Sequence, residues 1–200
     1  MLSQMRPALV MIVLFSALTG LVYPLAITGI AQVALVRPAD GSLETSKDGT
    51  VVGSSLIGQA FTSDKYFHSR PSATSAPDPN DSTKTVDAPY NAANSSGSNL
   101  GPTSQKLLDR VKADVQALGG SPEKPVPADA VTTSASGLDP HISPAFARLQ
   151  VGRVATARNL PEARVQALLE SRIETPFLGL FGEPQVNVLL LNMDLDRLGA

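Results

Sequence analysis

ALVMIVLFSALTGLVYPLAITGIAQVALV, running from Ala8 to Val36, contains no Asp, Glu, Lys, Arg or His. A helix rises about 1.5 Å per residue, so the run extends roughly 40 Å, past the ~30 Å of a hydrocarbon core. Leu, Ile, Val and Phe crowd the part from Leu9 to Ile27. At about −0.3 to −0.6 kcal/mol for each such residue, insertion is favourable by several kcal/mol. Pro24 removes one backbone bond and is expected to kink the helix, which membrane helices tolerate where a neighbour repairs the gap. Residues 8–36 therefore read as a single transmembrane helix. The rival reading is a cleaved signal peptide, with Arg6 before the apolar stretch and Gly29-Ile30-Ala31 as a weak cleavage site. The charge-free run is longer than the usual apolar region of about 7–15 residues, which favours a retained anchor.

Flanking charge sets the orientation. The N-terminus carries Arg6, while Arg37 on the far side is soon followed by Asp40 and Glu44. Positive charge stays inside, so residues 1–7 are expected in the cytoplasm and residues 37–200 on the outer face of the inner membrane. Within the helix, Ser16, Gly20, Pro24 and Thr28 recur every four residues along one side. Small residues at that spacing let a second helix approach closely in lipid, and such packing would make the chain a subunit.

Sixteen basic and eighteen acidic residues give a net charge of −2 without a basic stripe, which argues against nucleic acid as a partner. With no Cys there is no disulfide framework, thiolate nucleophile or Cys-based zinc site.

Beyond Arg37 the pattern is that of a small α+β domain with about three helices and a short sheet. The turn Asp48-Gly49, Val51-Val52 and Leu56-Ile57 predict short strands or a hairpin. Residues 69–104 are rich in Ser, Thr, Asn, Pro, Ala and Gly and poor in aliphatics, so they form either a long ordered excursion or a disordered one. A helix capped by Thr103 or Ser104 carries Leu107, Leu108, Val111, Val115 and Leu118 on one face and ends at Gly119-Gly120. Ala130 to Thr133 reads as a strand. Ser143 and Pro144 open a second helix that stops at Asn159, and Pro161 opens a third, reaching about Ile173. Gln185 to Asn192 reads as the strongest strand, its apolar run implying cover on both faces.

Catalytic motifs are missing: there is no phosphate loop, dinucleotide fingerprint, HExxH or GxSxG elbow. Gly97-Ser98-Asn99-Leu100-Gly101 is a turn before a helix or an anion cradle. Ser136, Asp139 and His141 gather the residue types of a hydrolase triad, although residues this close in sequence rarely converge as nucleophile, base and orienter. The turn Asp139-Pro140 followed by the cap Ser143 is the simpler reading. Two histidines, His68 and His141, cannot complete a metal site without carboxylates from elsewhere. His68 stands with Tyr66, Phe67 and Arg70 in a packing or docking edge.

The short segments also fall into a distinctive order. RPALV begins at Arg6 and GLVYPLAITGIAQ at Gly20, followed by GSL at Gly41, SLIGQAF at Ser55 and YFHSRPSA at Tyr66. SSGSNLGPTS at Ser95, SASGLDPHISP at Ser134, RVATARNL at Arg153 and VNVLLLNMDLD at Val186 complete the set. Together they resemble the C subunit of the Kdp potassium-transporting P-type ATPase. Arg37 to Asp40, where an aromatic-Pro pair is more usual, and Glu44 to Gly53 depart from that pattern.

The resemblance implies a non-catalytic subunit with one membrane pass that assembles and stabilises a high-affinity potassium importer. It implies three partners: a potassium-translocating A subunit, an ATP-hydrolysing B subunit and a small F subunit. It also implies a catalytic chaperone that raises the B subunit's affinity for ATP. ATP and potassium then belong to the complex, and no cofactor is placed on this chain. Tyr66, His68, Arg70, Ser96, Gly97, Asn99, Ser136, Gly137, Asp139 and His141 lie in the family-like loops and are the expected partner contacts. The alternative is a membrane-tethered hydrolase using Ser136, Asp139 and His141.

Overall fold

The computed structural model describes residues 2–176 and 178–198, so the extreme ends of the expected segments 1–7 and 37–200 lie outside it. The chain divides into two compact units, one through Glu44 and one from Thr45.

In the first unit, α1 (Met5–Ala17) and α2 (Tyr23–Ala34) are joined by a π turn, Leu18–Val22. Their combined span, Met5–Ala34, is the one helix among the described residues long and apolar enough to cross a membrane, and none of its most apolar window is buried. The expected effect of Pro24 takes a specific form. The helix widens just before it, and the Tyr23 N–H reaches back five residues to the Leu18 carbonyl. A π turn is a common way to absorb a residue that cannot donate. Thr19 Oγ1 donates to the Phe15 carbonyl at 2.6 Å, hiding its hydroxyl on the helix itself. Helical geometry is lost at Leu35, and a single turn, α3 (Val36–Ala39), carries Arg37, whose guanidinium pairs with Glu44.

β1 (Leu43–Thr45), which straddles the boundary, and β2 (Val51–Ser54), in the second unit, flank the expected turn at Asp48-Gly49. Asp48 accepts the Thr50 N–H at 3.1 Å. Leu56-Ile57 is turn rather than strand, since the Ile57 N–H folds back onto the Ser54 carbonyl.

The polar excursion carries a pair of strands. β3 (Ser75–Asp78) and β4 (Asp81–Asp87) pair antiparallel, Ser75 opposite Asp87 and Ala76 opposite Val86, with an irregularity between Pro77 and Asp78. Their stability comes from hydrogen bonds rather than from a core.

α4 (Gln105–Ala117) starts after Ser104, which makes no side-chain cap bond, and sets Val111 and Val115 against the core with Leu118 at its C-cap, whereas Leu108 is exposed. Ala130 to Thr133 is not a strand. Pro127 leads into a 3₁₀ turn, Ala128–Ala130, whose Asp129 carboxylate accepts the Ser143 N–H and Oγ–H at 2.6 and 2.9 Å. That pair of hydrogen bonds ties the segment to a helix start instead of a sheet.

The core is helical on one side and a small sheet on the other. Ser143 caps α5 (Pro144–Arg158) by accepting the Phe146 N–H, and Asn159 ends it in the left-handed conformation. Phe146, Ala147, Val151, Val154 and Ala155 form its buried stripe. α6 (Glu162–Ser171) adds Val165 and Leu169, both fully buried. Each such side chain contributes roughly 1.5–3 kcal/mol.

A three-stranded antiparallel sheet runs in the order β5 (His141–Ile142), β7 (Gln185–Asn187), β6 (Ile173–Glu174), with Val186 opposite both Ile142 and Ile173. The expected long strand stops at Asn187, and the run continues as α7 (Val188–Leu198). The switch has a local cause: Asn187 Oδ1 accepts the Leu190 N–H at 3.2 Å, an N-cap bond. Among the described residues the domain therefore has four helices of ten or more residues with a short sheet, in line with the α+β domain of about three helices that was expected.

Candidate functional site

Several of the family-like loops meet in one polar seam. Arg70 lies at its centre. Its Nη1 donates to Asp139 Oδ2 at 2.9 Å, and its Nε and Nη2 reach the Thr132 carbonyl and hydroxyl. Asp139 Oδ1 accepts the His141 N–H at 3.0 Å, and the His141 ring Nδ1 stands 3.7 Å away. Burial by itself would raise the Asp139 carboxyl. Hydrogen bonds from His141, together with the hydrogen bonds and charge of Arg70, outweigh it and hold the pKa at about 2.

A second layer joins the excursion to this pair. Tyr90 O–H donates to the Arg70 carbonyl at 2.7 Å, and burial pushes the phenol up to about 12. Ser72 Oγ donates to the Gly137 carbonyl and accepts the Tyr90 N–H. Thr74, buried, donates to the Ala88 carbonyl and accepts the Asn91 N–H. Ser96 N–H donates to the Ser136 carbonyl at 2.9 Å. Gly137 is required where it stands: its φ is +67°, and a Cβ there would lie 2.5 Å from Thr74 Cγ2 and 2.6 Å from the Ser96 carbonyl. A Cβ on Gly97 would likewise sit 2.9 Å from the Ala135 carbonyl, so the two backbones pass too closely there for a side chain.

The Tyr66 end is anchored by α5 and α7. Arg153 donates to the Asp64 and Tyr66 carbonyls, and Arg158 donates to the Lys65 carbonyl while lying 4.8 Å over the Tyr66 ring. Asp196 takes hydrogen bonds from Tyr66 O–H and Arg158. His68 is half-buried with its ring 3.1 Å from the Ser63 carbonyl, and burial followed by the Arg153 charge lowers its pKa.

The triad is not assembled. Ser136 Oγ accepts the Leu138 N–H and lies 3.5 Å from Ser134 Oγ, with no bond to His141, while Asp139 is committed to Arg70. Among the described residues no cluster of three His, Asp or Glu side chains is arranged to hold a metal. Of the ten expected contact residues, eight are at least partly covered within the seam, and Asn99 and Ser136 remain exposed.

Over residues 5–197 the chain matches the family described as KdpC, K+-transporting ATPase, c chain. The chain belongs to the KdpC family. Potassium-transporting ATPase KdpC subunits are similar to it over nearly their whole length. The one from Bradyrhizobium diazoefficiens is 62% identical with both chains fully covered, and the one from Methylobacterium nodulans is 59% identical with the same coverage. The one from Methylorubrum extorquens is 59% identical over 98% of this chain and 97% of its own. The family assignment makes this a membrane-transport subunit, in keeping with its exposed apolar helix.

Sequence reasoning missed Tyr90, Gln150 and Asn192. The last two had a signal: each is an amide inside an apolar stripe, Gln150 between Phe146 and Val154, and Asn192 between Leu191 and Leu195. A polar side chain in that position requires a buried partner.

Proposed function

We propose that the chain is a non-catalytic, single-pass subunit that assembles and stabilises a high-affinity potassium-transporting ATPase in the inner membrane. Residues 1–7 lie in the cytoplasm, residues 8–36 cross the bilayer, and the domain 37–200 faces outward. The partners are the potassium-translocating A subunit, the ATP-hydrolysing B subunit and the small F subunit. The observation that carries this reading is the match from residue 5 to residue 197, which takes in helix and outer domain together.

Ser16, Gly20, Pro24 and Thr28 form the face toward a partner helix, and Asn99 and Ser136 are the loop residues best placed to touch a partner. The chain raises the B subunit's affinity for ATP through the membrane helix, because an outer domain cannot reach a cytoplasmic nucleotide. The experiment is complementation of a strain lacking this subunit under potassium limitation. The full chain restores growth, whereas the chain without residues 1–36 does not, and protease added from the outer side cuts between residues 69 and 104. Growth without the chain, or cleavage only from the cytoplasmic side, rejects the reading.

A further inference from the structure

Between β6 and β7 the chain makes an apolar tip. Leu178, Leu180 and Phe181 are 73%, 79% and 68% exposed, in a domain whose other large side chains are mostly packed inward. The tip is a formed turn: the Gly179 N–H donates to the Pro176 carbonyl at 2.9 Å. Leu178 is held at a φ of 55°, a conformation a leucine rarely adopts. A strained loop that points three large apolar groups at water is explained by a surface that covers them.

Charge selects among the candidate surfaces. Glu174 and Glu183 bracket the tip, and no Lys or Arg occurs between Glu174 and Gln185. Loops that enter a bilayer interface carry basic residues toward anionic headgroups, and these carboxylates would be repelled. A two-fold pairing of two copies would set the same acidic rims against each other. A different protein with an apolar socket and a basic rim satisfies both features. We infer that the Leu178–Phe181 tip is the docking knob of the outer domain, inserted into an apolar, Lys/Arg-bordered socket on another subunit of the transporter. This rests on the subunit reading above.

The chain has no cysteine, so Leu180→Cys provides a single reporter on a side chain that touches little else. Its rate of labelling by a membrane-impermeant maleimide is compared in four states of the full-length chain. These are the chain alone in detergent at low concentration, the same at high concentration, the chain in phosphatidylethanolamine/phosphatidylglycerol vesicles, and the co-purified complex. Labelling at least ten-fold slower in the complex alone supports the knob. Equally fast labelling in the complex overturns it. Slowing already present in vesicles identifies lipid as the occupant, slowing that grows with concentration identifies a second copy, and either result overturns it too. Failure of the chain to co-purify with any partner is a separate readout and rejects the subunit reading itself.

Discussion

Asn192 clamps both backbone groups of Phe67: its Oδ1 accepts the Phe67 N–H at 2.8 Å and its Nδ2 donates to the Phe67 carbonyl at 2.9 Å. One residue on, Gln150 does the same for His68, accepting its N–H at 2.7 Å and donating to its carbonyl at 3.1 Å. Two amides from two helices thus act as an artificial neighbouring strand for a loop that has none. Phe67 and Asn192 are both essentially inaccessible to water, so these bonds have no competitor.

Asn192→Leu keeps the shape and deletes the clamp, leaving a buried N–H and a buried carbonyl unpaired. At about 1–3 kcal/mol for each orphaned group, we expect a loss of about 2–6 kcal/mol. Thermal unfolding of the detergent-solubilised chain checks this: a melting point within ~2 °C of wild type would show that the two bonds contribute nothing.

Apolar runs without a period fix burial but not geometry. Val188 to Leu191 follows an alternating Gln185-Val186-Asn187, and both strand and helix bury such a run. The residue that decided the matter was Asn187, a capping type three positions before Leu190. By contrast α5 was legible at both ends, because Ser143, Pro144 and Asn159 each have one favoured place in a helix. The excursion resisted reading for another reason. Its order resides in hydroxyls and amides, Ser72, Thr74, Tyr90 and Asn91, whose partners are backbone groups far along the chain. No local pattern encodes them. The seam was legible as a set of loops but not as contacts, and the Arg70–Asp139 pair spans 69 positions.

Arg70→Gln strands the Asp139 carboxylate in a partly covered seam. We expect a loss of about 1–2 kcal/mol, less than for a fully buried pair, with part of it recovered in Arg70→Gln/Asp139→Asn. The pH dependence has a definite sign. With the carboxyl held at about 2 against an ordinary 3.8, its contribution is complete above about pH 4 and lost as pH falls toward 2. Arg70→Gln should therefore begin to unfold at a higher pH on acid titration. An unchanged acid midpoint would remove the ion pair from the account.

His68 acts at milder pH. Its pKa is lowered by burial and by Arg153, so the folded form favours the neutral ring. Stability from this group is complete above its ordinary 6.5 and lost as pH falls through the depressed value. Denaturant midpoints measured from pH 7.5 to 5 should fall in the wild type and flatten in His68→Gln. Parallel curves would refute the assignment.

Gly137→Ala combines a left-handed φ with a Cβ placed 2.5 Å from Thr74. We expect about 2–4 kcal/mol of destabilisation, with faster proteolysis between residues 88 and 99 as the seam opens. Gly49→Ala, also at positive φ but with nothing within 4 Å of the new Cβ, separates the two causes. If both variants lose the same amount, conformation alone is responsible and the contact with Thr74 is not.

Gly20 is the position where anchor and assembly can be told apart. A Cβ there meets nothing within 4 Å, so the first carbon of a leucine enters open space. If a partner helix packs on the proposed face of Ser16, Gly20, Pro24 and Thr28, close backbone approach supplies the packing and the larger side chain disrupts it. We expect the variant to insert and accumulate normally while recovering at least five-fold less of its partner subunits on affinity purification. Leu18→Ala, on the opposite side of the helix, should recover them at the wild-type level. Equal recovery for Gly20→Leu and wild type would move the association from this face to the domain that follows the helix, and the apolar tip at Leu180 would then have to carry it.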